Sequence, residues 1–183
     1  DMDSMKMNTK LHSASPSKIQ VGGHSLDSMR IAAAVRYALA CVGVCEMPLG
    51  SNRGVEVDEW NRLSGAALAS FWCASFASSV LRLHRLATAG KGNDPSCDAL
   101  MHAAKASNRW SKVPALGALV FYGPNADDAQ HVAIVVRTSP VLLVVGGNER
   151  LGAVSSRNGV AVQLRAEQRT DILGYALPLP IGV

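Results

Sequence analysis

Apolar positions recur at helical intervals from Leu26 to about Val44 (Leu26, Met29, Ala33, Val35 with Tyr37, Leu39 and Val42), which predicts an amphipathic helix. The segment Pro48-Leu49-Gly50-Ser51-Asn52-Arg53-Gly54 is a loop by composition, and Val55 to Leu63, carrying Val57 and Trp60, reads as a short second helix ending before Gly65. Ser70 is placed to cap a third helix from Phe71 to about Leu86, since its hydroxyl can accept an orphan backbone N–H of the first turn. On that helix Cys73, Phe76, Ala77, Val80 and His84 share a face. A loop, Gly-Lys-Gly-Asn-Asp-Pro, leads to Ser96, which caps a further helix from Cys97 to Ala106.

Beyond Trp110 the pattern changes. Gly117 to Tyr122, His131 to Thr138, Val141 to Gly147, Val160 to Arg165 and Ile172 to Leu177 are short Val- and Leu-rich runs divided by Gly, Pro, Asn and Asp. Consecutive antiparallel strands have this character. Helices followed by strands predict an α+β domain over residues 26–183, with residues 1–25 as a flexible tail or linker.

Composition adds limits. The formal net charge of +4 and pI near 9.0 come from scattered Lys and Arg, without a run of five or more like charges. This implies a mild preference for anionic surfaces, the bacterial wall among them, and gives no support to nucleic-acid binding. No stretch reaches the roughly 18 apolar residues of a membrane span, so membrane insertion is not expected. Residues 1–25 lack the continuous apolar core of a signal peptide, and the chain begins with Asp, which suggests that an upstream piece has been removed.

Four cysteines invite a disulfide or zinc reading. Cys41 and Cys45 lie four apart in a helical run, where geometry suits a bridge poorly, and paired C-x-x-C elements are absent, so no structural metal is expected. Cys41, Cys45 and Cys97 read as small buried hydrophobes or free thiols. Cys73 is different, because a cysteine in a helix's first turn faces the positive end of the dipole and unpaired N–H groups, which favour thiolate.

A thiolate mechanism needs a base within reach. His12 and His24 lie in the tail, His102 reads as a surface residue, and eleven helical residues put His84 about 16 Å from Cys73. His131 remains, opening a clear strand on which it shares a face with Ala133 and Val135. A third group must orient the imidazole. Asn148 ends the next strand on the face of Leu142, Val144 and Gly146; Glu149 is its charged rival, turned away by alternation unless the Gly146-Gly147 pair makes a bulge.

These segments resemble the CHAP family of cysteine, histidine-dependent amidohydrolases/peptidases, within the papain-like peptidoglycan hydrolases. The resemblance rests on four pieces in order: Cys45-Glu46-Met47-Pro48 through Gly50-Ser51-Asn52-Arg53-Gly54, Phe71-Trp72-Cys73-Ala74-Ser75-Phe76, Gln130-His131-Val132-Ala133-Ile134-Val135, and Val145-Gly146-Gly147-Asn148. It covers roughly residues 30 to 177. Gln130 stands where similar proteins have Gly, and Glu149 where many have Gln.

The resemblance implies a papain-like α+β fold, with N-terminal helices and the nucleophile helix packed on an antiparallel sheet of about five strands. Cys73 would be the nucleophile, His131 the general base and then acid, and Asn148 the orienting residue, with no metal or cofactor. Glu46, Asn52, Trp72 and Gln130 would line the cleft. The implied substrate is peptidoglycan; of the roles this fold hosts, a tail before residue 26 that reads as a severed linker favours a toxin made in the cytoplasm and delivered by a secretion-system carrier to the periplasm or cell wall, with an immunity protein as partner. A phage lysin, a wall-remodelling enzyme and a non-catalytic wall-binding module of the same fold are the alternatives.

Overall fold

The computed structural model describes residues 20–21, 24–87, 94–151 and 159–181. Two short strands, β1 (Gln20–Val21) and β2 (His24–Ser25), pair antiparallel ahead of the first helix. Part of the expected tail is therefore paired, and residues 1–19 and 22–23 lie outside the described residues.

Helix α1 (Leu26–Ala40) starts at Ser25, whose hydroxyl accepts the Ser28 N–H at 3.2 Å, and it ends four residues before Val44. Helix α2 (Val55–Ser64) stops where Gly65 takes a left-handed conformation, φ +82°. Helix α3 (Cys73–Leu83) begins later than the Ser70 cap predicted, and the residue in the cap position is Trp72, which makes no side-chain capping bond. Burial outweighs local propensity at this helix start: Trp72 is fully buried, and its ring stacks on Trp60 at 5.6 Å. Phe76 meets Trp60 edge-on at 4.8 Å, so three aromatics lock α3 to α2. A short strand, β3 (Leu86–Ala87), follows, and then helix α4 (Cys97–Ala106), where Ser96 accepts the Ala99 N–H as its pattern predicts.

The remaining strands are β4 (Trp110–Ser111), β5 (Leu119–Tyr122), β6 (His131–Arg137), β7 (Leu143–Glu149), β8 (Ala161–Ala166), β9 (Ile172–Ala176) and β10 (Leu179–Pro180). Strand β10 pairs with β3, and the other six form one antiparallel sheet in the order β4-β9-β5-β6-β7-β8. The described residues thus form an α+β fold of four helices and a six-stranded antiparallel sheet. The strand beyond the five expected is β4, whose two residues are too few to show alternation.

Period-2 alternation sorts the sheet into two apolar faces. Leu119, Phe121, Val132, Ile134 and Val145 join the helices in the main core, while Val120, Ala133, Val135, Val144 and Tyr175 form a second cluster. Every residue of α3 from Cys73 to Leu81 is buried. The helix packs on β6 and β7, which brings its first residue beside the first residue of β6.

Candidate active site

Cys73 opens α3 and is 8 % exposed. Two contacts of Trp72 set the chain's entry into the helix: its indole N–H donates to Glu46 Oε1 at 2.8 Å, and its carbonyl accepts the Phe76 N–H at 2.8 Å. With no side-chain cap, the first-turn N–H groups of α3 face the sulfur's surroundings, and the Ala74 N–H favours the anionic form of Cys73. Such donors favour an anion at this position.

His131 and Cys73 line the same cavity close enough to shift each other's protonation, and the His131 Nε2 lies 2.9 Å from Glu149 Oε1, which leaves Nδ1 available to the sulfur. Burial alone would depress the imidazole. The Cys73 sulfur and the Glu149 carboxylate outweigh it and carry the ring up to about 9. Glu149 moves the opposite way: burial pushes it up, but His131 and Arg165 bring it down to about 2. The Cys73 thiol is held well below its ordinary value by Cys97, whose sulfur lies 3.7 Å away, and then, against burial, by His131. The site favours thiolate, imidazolium and carboxylate in a row.

The third position corrects the sequence reading, since Glu149 rather than Asn148 holds the imidazole. Gly146 pairs with Gln163 and Glu149 with Ala161, so β7 spends an extra residue against β8. That bulge includes Asn148 at φ +55° and breaks the alternation that would have turned Glu149 away. Both glycines have steric reasons. A Cβ on Gly146 would overlap the Glu149 carboxylate, and one on Gly147 would come within 2.8 Å of both Phe76 and Trp72. Asn148 stays at the site, lining the cavity, and its buried Oδ1 has no partner among the described residues.

Behind Glu149 stands a charged group that sequence reasoning missed. Arg165 donates to Glu149 Oε1 at 3.2 Å and to Glu167 Oε2 at 2.9 Å, and Tyr122 hydrogen-bonds the same Glu167 oxygen. Arg165 and Arg169 lie 5.1 and 4.2 Å from the centre of the Tyr122 ring, which tilts 5.7 Å from the His131 ring. The alternation of Gln163, Arg165 and Glu167 marked a polar strand face, but not what it faced.

Cys73, His131, Asn148, Gln130, Phe71 and Cys97 line one cavity of about 490 Å³. Past His131 the depression continues to Arg150 and Arg169. Gln130 sits at this opening with its amide donating to Asp128 at 3.2 Å. The other expected cleft residues are elsewhere. Glu46 and Trp72 are fully buried, and the indole N–H is bonded to Glu46 Oε1, while Glu46 Oε2 has no partner among the described residues. Asn52 sits in its loop at φ +53° and does not line the cavity. His84 stands at the end of α3 with a ring nitrogen 2.8 Å from the Val80 carbonyl, and His102 is exposed.

No protein-family model, curated protein or solved structure matches the chain. Chemically, the arrangement can do nucleophilic acyl transfer. A sulfur at a helix N-terminus, an imidazole with one nitrogen free for it, and a carboxylate on the other nitrogen have the geometry of an activated thiol.

Proposed function

We propose that this chain is a papain-like cysteine amidohydrolase of the CHAP type that cleaves an amide bond in bacterial peptidoglycan. The observation that carries the proposal is the row Cys73, His131, Glu149, in which Cys73 opens a buried helix and lines a cavity together with His131.

In this mechanism the Cys73 thiolate attacks the amide carbonyl, and the first-turn N–H groups of α3 stabilise the oxyanion. The C–N bond breaks as the His131 imidazolium gives its proton to the leaving amine, which leaves a thioester on Cys73 and a neutral imidazole. Water then loses a proton to His131 and attacks the thioester, releasing the carboxylate product and restoring the thiolate. Glu149, held by Arg165, keeps the ring oriented and stabilises its charged form through both halves.

The substrate class draws on the resemblance of four ordered segments to the CHAP family. Two further features suit an anionic polymer: the net charge of +4, and a depression that runs from His131 to Arg150 and Arg169. A delivered antibacterial toxin with a cognate immunity protein is the role we assign to that activity.

The test is an inhibitor profile on purified peptidoglycan of different stem-peptide types. Release of soluble muropeptides should be abolished by iodoacetamide and unchanged by a chelator. Loss of release in chelator, with indifference to the thiol reagent, would point to a metallohydrolase and overturn the proposal.

A further inference from the structure

The catalytic row explains Cys73, His131 and Glu149 and leaves one nucleophilic side chain in the same cavity without a role. Cys97 lines that cavity, and its sulfur is 3.7 Å from the sulfur of Cys73. We propose that Cys97 is a hydrogen-bond donor to the nucleophile, giving its S–H to the Cys73 sulfur and holding it as the thiolate that attacks substrate. This rests on the reading of Cys73 as the nucleophile.

Cys97 is held in place by the backbone around it. It is the first residue of α4, whose start is fixed by Ser96 accepting the Ala99 N–H at 3.2 Å and by Asp94 accepting the Ser96 N–H at 2.8 Å. The neighbouring Asp98 carboxylate accepts the Ala129 N–H at 2.6 Å, which ties the first turn of α4 to the chain two residues before His131. The donor, the nucleophile and the base are therefore set by three elements that are fastened to one another.

The surrounding charges decide which sulfur keeps the proton. Cys73 faces His131 from β6 and the Ala74 N–H, both of which favour an anion, and His131 is itself backed by Glu149. Cys97 faces the Cys73 sulfur and the Asp98 carboxylate, both of which oppose a second negative charge. Two thiolates this close repel, so one proton is shared unequally and resides on Cys97. A thiol is a weak donor to a neutral acceptor and a better one to an anion, so the bond strengthens when Cys73 ionises.

The experiment is a pH titration of alkylation of the fully reduced protein by iodoacetamide. Modification is read by mass spectrometry on the tryptic peptides spanning residues 63–82, which hold Cys73, and 92–105, which hold Cys97. In Cys97→Ala the midpoint of Cys73 alkylation should rise by about one pH unit. In Cys97→Ser, which keeps a donor of similar size, it should return toward the wild-type midpoint. A Cys97→Ala midpoint that coincides with wild type, or a Cys97→Ser midpoint displaced as far as that of Cys97→Ala, overturns the proposal. The titration needs no wall substrate. A protein that keeps this behaviour but releases no muropeptides would therefore count against the proposed function and not against the donor.

Discussion

His131 lies between a sulfur and a carboxylate, and in the proposed mechanism each has a different effect. Glu149 keeps the ring charged, so in Glu149→Gln the imidazolium should lose its proton at lower pH. With thiolate and imidazolium as the working pair, activity rises as pH climbs through the Cys73 value and falls as pH passes about 9, where His131 is released. Glu149→Gln should move that alkaline limb toward neutrality and lower kcat by about a hundredfold. Asn148→Ala should leave the limb in place. A pH–rate profile of the three proteins checks both, and an unmoved limb in Glu149→Gln would remove Glu149 from the row. At this scale apolar periodicity placed Cys73 near the start of a helix and His131 at the start of a strand, which is where the structure has them. For the third group the sequence left Asn148 and Glu149 both open, because a bulge reverses the face of every residue after it and only the Gly146-Gly147 pair signalled one.

The end of β7 shows how an element positions chemistry. Gly146 leaves room for the Glu149 carboxylate, and Gly147 lets α3 pack against the strand through Trp72 and Phe76. Substitutions at the two should therefore separate. Gly146→Ala should cost activity by displacing Glu149, with little change in stability. Gly147→Ala should destabilise the fold by about 1–3 kcal/mol through overpacking, measured by urea denaturation. Trp72 belongs to the same junction. Trp72→Phe removes the N–H that pairs with Glu46 and leaves a fully buried carboxyl without that partner, for a loss of about 1–3 kcal/mol in the same assay. Helix and strand existence was legible from periodicity, and so was the Ser96 cap. The start of α3 was not, because a buried indole outside the helix sets it in place of the nearest serine. For the same reason Glu46 and Trp72 read as cleft residues: a Trp beside a nucleophile looks alike in sequence whether it faces substrate or core.

At the scale of the whole molecule, the segregation of helices before residue 110 and strands after it carried the α+β class. Sheet order could not be read the same way. Strand β9 inserts between β4 and β5, joining positions such as Trp110 and Ala176 that no local pattern links. Polar partners from distant strands, such as Arg165 behind Glu149, were hidden for that reason. The site depends on this arrangement, since α3, α4, β6 and β7 each contribute a side chain to one cavity. Whether Cys73 performs the proposed amide hydrolysis on the bacterial wall is measured most directly by a digest of purified peptidoglycan with wild type and with Cys73→Ala, followed by mass spectrometry of the released muropeptides. Fragments carrying one new amine and one new carboxylate from the wild type alone are the predicted result. The same fragments from Cys73→Ala, or none from either protein across several wall chemotypes, would contradict it.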